Sequence, residues 1–442
     1  MQSDVEIKFS GSRSGEGPLT WGQRAMVEAM ARNRQTWNIA CALDLTHRHL
    51  DASTVLASLG TVIARNESLR TLVRVVDGEP RQCVVDSGTL PVTTVLCSAA
   101  EARDHAERLI DERNRRPFRL DAEWPVRITL VIAEDRVRYV VFVFSHVAVD
   151  NMGMLLARED LSHVLTTGSP AWEPGLQPLD IARHESTKGR SITDRAVRYW
   201  TEQLRRIPPT TLTPVGPAHE PRIQQATLTS SAVRAAVERL AARHRTTSTT
   251  LLMSAAAMVL GAWTGHPAVA MNVQVGNRFK SAYRRTVGNL VQLGLFVLDL
   301  PPKSRFNDIV PAAKASALLT YRYGYYELAA LDRARSRVNA ERGAVINPLC
   351  CFNAIDARLD DGDVSGEVPD HLIRARLTES ELTWDDDPHQ ARCHFCLRTV
   401  DPNGEVHRLS LAADTRYLPP DRIEAFLREM EHVLVEAAVT GR

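Results

Sequence analysis

The chain of 442 residues has no long apolar run. Its best candidate, around residues 255–263, is cut short by Gly261 and Gly265, well below the roughly 20 residues that a bilayer-spanning helix requires. Residues 1–17 are polar and rich in Gly and Ser, without the apolar centre of an export signal. No sign of charge dominates either: 54 Lys and Arg against 53 Asp and Glu give a net +1. Lysine is confined to positions 8, 188, 280, 303 and 314, and the arginines form no basic cluster. Nothing here favours nucleic acid or an anionic membrane as a partner, and a cytoplasmic location is expected. The seven cysteines, at 41, 83, 97, 350, 351, 393 and 396, are odd in number and scattered, which argues for free thiols in a reducing compartment. Cys393-His-Phe-Cys396 spells a CxxC, but the stretch reads as a strand, where residues three apart point to opposite faces. With no second CxxC to complete a zinc site, no metal is expected.

What remains is an ordinary globular composition, 44% hydrophobic and 24% charged, on a chain too long for one simple core. Thr20-Trp-Gly-Gln23 has the form of a capping box and predicts a helix start. Helices are expected over residues 50–65, 99–115, 151–164, 194–206, 231–244, 248–263, 312–331 (with Pro311 opening it) and 420–438. Hairpins are expected at 72–85 around Asp77-Gly78, at 126–144, and near the C-terminus around a turn at 401–404, after a polar loop at 360–366. The breaker-rich stretch 166–179, with Gly168, Pro170, Pro174, Gly175 and Pro178, marks the expected boundary between lobes 1–175 and 176–442. Helices and strands mix in both halves without regular βαβ alternation, so the expected class is α+β rather than a doubly wound parallel sheet.

The segment Tyr139-Val-Val-Phe-Val-Phe-Ser-His-Val-Ala-Val-Asp-Asn151 carries the clearest chemistry. A buried strand ends at Ser145-His146, and Asp150 follows four residues after the histidine. A neutral imidazole there suits proton abstraction from an attacking amine or alcohol; Asp150 either orients the ring or holds the loop. A bland reading, a strand end with a satisfied His and a helix-capping Asp, fits the spacing equally well, since H-x-x-x-D is short and common. A Ser-His-Asp triad does not fit, because adjacent residues of an extended segment point in opposite directions, and no G-x-S-x-G turn is present.

This segment resembles the H-H-x-x-x-D-G motif of the condensation domains of non-ribosomal peptide synthetases. His146 and Asp150 match the second His and the Asp; Ser145 stands for the first His and Asn151 for the Gly. Further similar segments follow in order: Leu19-Thr-Trp-Gly-Gln-Arg24, Arg65-Asn-Glu-Ser-Leu-Arg-Thr71, Pro117-Phe-Arg-Leu-Asp121 with Pro125-Val-Arg-Ile128, Val287-Gly-Asn-Leu-Val291 and Cys351-Phe-Asn-Ala354. The resemblance implies two chloramphenicol-acetyltransferase-like lobes in a V-shaped pseudo-dimer, with the His motif at the middle of a tunnel.

It also implies roles. His146 would be catalytic, as base or as the group that positions the nucleophile. Asp150 would be structural and paired with an Arg that the match of Gly276-Asn-Arg278 assigns to Arg278; a buried carboxylate without a partner is costly. Asn353 would contact substrate. Trp263 would line the tunnel, with core packing an equal alternative for a large residue at a helix end. Ser145 is expected to be tolerated behind the loop, and Asn151 to keep the loop shape because Asn accepts positive φ well. The implied activity is that of a free-standing acyltransferase in non-ribosomal peptide or antibiotic biosynthesis. Its donor would be an acyl or aminoacyl thioester on the phosphopantetheine arm of a carrier protein supplied in trans, its acceptor an amine or alcohol, small or carrier-bound. No tightly bound cofactor is implied, and a monomer would suffice. The alternative is a catalytically degenerate member that docks a carrier protein or a tailoring oxygenase. A coenzyme-A-dependent acyltransferase of the plant-like H-x-x-x-D type is a weaker alternative, because its D-F-G-W-G segment is absent.

Overall fold

A computed structural model describes residues 2–33, 37–356, 368–385, 394–401 and 406–440. The expected loop at 360–366, the turn residues 402–404 and Cys393 lie outside the described residues. Two compact units form. The first comprises Met1–Arg190 with Gly276–Val291, the second Ser191–Val275 with Gln292–Arg442. The first unit thus extends past the expected lobe boundary and includes a segment from the second half of the chain.

The first unit holds a five-stranded sheet in the order Gln2–Ser10, Ser87–Leu96, Val126–Ala133, Arg136–Ser145, Asn38–Asp44. A second sheet has three strands, Gly15–Pro18, Glu79–Val84 and Thr71–Val76. Both expected hairpins form. Val76 pairs with Glu79 across Asp77-Gly78, both at positive φ, as a two-residue turn of the primed kind requires. Ala133 pairs with Arg136 across Glu134 and Asp135, again both at positive φ. The apolar run 140–144 is buried throughout. Its strand lies between two others, and the helices Ala102–Asn114 and Ala52–Arg65 both pack onto it. A strand covered on both faces has no solvent side to alternate with, hence the unbroken hydrophobicity.

The second unit is built on a seven-stranded sheet: Gln292–Asp299, Ala268–Val275, Cys350–Asp356, Phe395–Asp401, His407–Asp414, Ile223–Ser230, Glu381–Asp385. One continuous core packs Phe352, Phe395, Leu409 and Leu411 of this sheet against the helices Ser231–His244, Ser248–Thr264, Phe306–Arg322 and Pro420–Thr440. Two expectations need correction. The helix expected over 312–331 is two helices, Phe306–Arg322 and Leu328–Arg342. They part at Gly324, where a Cβ would press on Val275 and on the Thr320 carbonyl at 3.0–3.1 Å. Pro311 does not open the first of them; it lies inside, and the start is set by Arg305 and the Asp308 carboxylate, which accepts from the Arg305 N–H. The helix expected from 194 starts much earlier and runs Pro178–Arg206, so the units divide within it. Among the described residues, no helix is long and apolar enough to cross a membrane.

Candidate active site

The motif strand ends at Ser145 and the chain turns at once. Ala148 N and Val149 N both donate to Ser145 O, while Ser145 N is held by Pro125 O. His146 sits on this turn with its side chain partly exposed. Its Nδ1 lies 2.9 Å from Val149 O. A carbonyl can only accept, so Nδ1 carries the proton and Nε2 keeps its lone pair. Desolvation pulls the imidazole pKa below its ordinary value, partly opposed by the Asp150 charge. A histidine so placed is neutral at pH 7, which is the state a general base needs.

Asp150 caps the helix Asn151–Thr167, its Oδ1 accepting from Gly153 N at 2.8 Å. Arg278 meets the same carboxylate with both guanidinium ends, Nη1 to Oδ2 and Nη2 to Oδ1, each at 2.7 Å. Leu290 N adds a further bond to Oδ2 at 2.9 Å. Only 1% of Asp150 is exposed. The expected pairing of Asp150 with Arg278 is therefore present, inside the first unit. Arg278 also donates to the carbonyls of Gly276, Thr286 and Gly288, so it knots the 276–291 segment as well as the cap. His146 is not hydrogen-bonded to Asp150; its orienting partner is the Val149 carbonyl.

Asn151 is the first helical residue, and its φ is not positive. The expected tolerance of positive φ is therefore not called on: this position makes no demand for glycine's conformational freedom. The glycine that is required is Gly153, where a Cβ would lie 2.8 Å from Gly288 O and 2.9 Å from Gly288 N. Ser145 is buried behind the turn.

Residues that the sequence did not single out complete the arrangement. Asn289 donates from Nδ2 to the His146 carbonyl at 2.6 Å, and its Oδ1 accepts from Val291 N. Ser68 Oγ donates to Val287 O at 2.7 Å. Arg70, 1% exposed, donates to the carbonyls of Ala64, Arg13 and Val85. The quoted segments 65–71 and 287–291 contain all three, so the signal was present, but their task is to hold backbone, which residue type alone does not announce.

Asn353 and Trp263 belong to the second unit. Asn353 is half-buried on its strand beside Arg398. Trp263 packs edge-on against Phe426, donates from Nε1 to Glu429 Oε2 at 2.8 Å, and carries Arg422 over its ring at 4.1 Å. Its neighbours are those of a packing residue at a helix end.

The condensation-domain family model matches residues 13–370, and the chain belongs to that family. It is 26% identical over 323 residues to the isonitrile lipopeptide synthase of Mycobacterium tuberculosis, covering 69% of this chain and 13% of that protein. It is 26% identical over 410 residues to the phosphinothricin tripeptide synthetase PhsC of Streptomyces viridochromogenes, covering 88% of this chain and 36% of that protein. The chain thus spans well under half the length of these relatives. Among solved structures, the epimerization domain of the third module of tyrocidine synthetase B aligns with TM-score 0.72 at 15% identity, over 98% of this chain and 99% of that one. The condensation domain of chain release from the enacyloxin polyketide synthase gives 0.69 at 19%, over 92% and 79%. The X-domain from teicoplanin biosynthesis gives 0.68 at 17%, over 97% and 96%. The fold is therefore the two-lobed, chloramphenicol-acetyltransferase-like fold of condensation domains.

Proposed function

We propose that this chain is a condensation-type acyltransferase acting on a thioester carried by the phosphopantetheine arm of a carrier protein. The observation that supports it most is the His146 imidazole: desolvated, fixed by Val149 O through Nδ1, and left with a lone pair on Nε2. In the proposed step an amine or alcohol attacks the acyl carbon, forming the new C–N or C–O bond as the C–S bond breaks. Nε2 takes the acceptor's proton, which ends on the leaving thiol, so the histidine is regenerated. Asp150 and Arg278 keep the loop in place and touch no reacting atom. Asn353 is proposed as a substrate contact. Trp263, engaged with Phe426 and Glu429, is assigned to packing.

A second reading has its own support. Ser145 and Asn151 depart from the family motif, and the Asp150–Arg278 knot serves folding whether or not chemistry occurs. The X-domain of teicoplanin biosynthesis, which shares the fold, has been solved in complex with OxyB. In this reading the chain is a docking platform for a carrier protein or a tailoring oxygenase. The test is transfer from an acyl-loaded carrier protein, followed by intact-protein mass spectrometry for wild type and His146→Ala. Transfer that depends on His146 supports the acyltransferase; equal background transfer with carrier binding retained supports the platform.

A further inference from the structure

Behind the His146 turn lies a small cavity lined by Gln23, Ser68, Thr71, Pro125, Ser145 and Val147, among others. It has room of about 10 Å³ for the centre of a water molecule, the space of one such molecule. Ser145 Oγ is fully buried on this wall and has no hydrogen-bond partner among the described residues. A buried hydroxyl left in that condition destabilises the fold. The other polar walls complement it. Thr20 N–H fixes Gln23 Oε1 on one side, which leaves the Nε2 end of the amide as a donor. Ser68 Oγ and Thr71 Oγ1 donate their protons to Val287 O and Glu67 O and keep lone pairs for an incoming donor.

We propose that this cavity is a built site for one water molecule, that Ser145 Oγ anchors it, and that Ser145 thereby acts as a positioning residue for His146. The route is short. Ser145 O holds Val149 N, and Val149 O holds His146 Nδ1. Fixing Ser145 from behind fixes the peptide that sets the imidazole tautomer. A single water meets the hydrogen-bonding demand at Ser145 while its oxygen and protons suit the mixed donors and acceptors around it. The proposal concerns the free protein and does not depend on the acyl-transfer reading, since each measurement is made without substrate.

Three readouts test it. A high-resolution crystal structure of the wild type is expected to show a peak within hydrogen-bond distance of Ser145 Oγ; a dry cavity overturns the proposal without recourse to any variant. Ser145→Ala is expected to lower Tm by about 2–4 °C, the scale of one lost buried hydrogen bond in a unit this size. A rise in Tm, as removal of an orphan hydroxyl from a dry cavity would give, or no change, overturns the anchoring. The His146 pKa, followed by NMR titration, is expected to move in Ser145→Ala toward the ordinary value as the turn loosens. An unmoved titration overturns the positioning role.

Discussion

The two ends of the motif loop are held by different amounts of structure. Asp150 is 1% exposed and its carboxylate accepts from Gly153 N, Leu290 N and both ends of Arg278. His146, four residues earlier, is partly exposed, and its Nδ1 is held by the Val149 carbonyl. The first end is over-determined, as a buried charge has to be. The second is constrained just enough to choose a tautomer, and its outer nitrogen is left with a lone pair. A residue whose role is to hold structure has its hydrogen-bonding capacity used up; a residue that does chemistry keeps some in reserve. On the proposed acyl-transfer reading, the difference separates scaffold from reagent within five consecutive residues.

The largest expected effect breaks the Asp150 end. Arg278→Met removes the charge partner and leaves a buried carboxylate, at an expected cost of about 3–5 kcal/mol in denaturant unfolding. Asp150→Asn keeps an acceptor for the Gly153 N–H and removes the charge, so the double variant Asp150→Asn, Arg278→Met is expected to be less destabilised than the sum of the two single changes. Strict additivity would show that the pair is not coupled, and the contrast between the two ends would lose its physical basis.

Next comes the reagent end. His146→Ala is expected to reduce acyl transfer by about 10²–10⁴-fold, the usual range for a lost general base, while the unfolding midpoint falls far less than for Arg278→Met. An equal loss of stability would mean that His146 is scaffold too.

A smaller, pH-dependent effect sharpens the same distinction. Burial holds the folded His146 pKa below its ordinary value near 6.5. Between the folded and unfolded values the unfolded chain binds more protons, so stability is full above about pH 6.5 and declines as pH falls toward the folded pKa. Differencing wild type and His146→Ala over that window isolates the contribution, because other groups titrate in both. The expected difference shrinks on acidification and levels off below the folded pKa. A difference independent of pH would show that the imidazole is not desolvated. If transfer is measured over the same range, the neutral base should sustain it below pH 6.5.

How much of this was legible in the sequence follows from how each feature is encoded. Asp150 and Arg278 carry their chemistry in their side chains, and their match to family-like segments put forward the pair that the structure shows; the same match put forward His146 as the proposed base. The local turns at 77–78 and the motif strand were equally plain, because turn residues and an unbroken apolar run act over a few positions. The division of the chain was not. Residues 276–291 join the first unit through bonds such as Ser68 Oγ to Val287 O and Asn289 Nδ2 to His146 O, each spanning more than 140 residues of chain, and no local pattern encodes such a return. Gly153 was missed for a related reason. Its importance is the missing Cβ against Gly288, a contact between two backbones. Gly324, where the two helices part, also sits in a tight place, with the Val275 side chain and the Thr320 carbonyl 3.0–3.1 Å from where a Cβ would lie, and no local pattern announces that approach.

The smallest expected effect lies at the junction of the two ends. Asn151 occupies the first helical position after the Asp150 cap with φ in the ordinary negative range, so Asn151→Gly restores the family residue without relieving backbone strain. Its effect on stability is expected to stay within about 0.5 kcal/mol, the level of a substitution outside the packed core. Its effect on transfer is therefore informative. If the Asn151 side chain narrows access to His146, the glycine variant should transfer faster at unchanged stability, and the reserve of the reagent end would be limited by a neighbour rather than by the base itself. If transfer is unchanged, the asparagine is neutral and the turn around Ser145 is the remaining departure that can tune the imidazole. A large loss of stability instead would mean that Asn151 contributes to the cap, and that the scaffold end of the loop extends one residue further than the hydrogen bonds of Asp150 indicate.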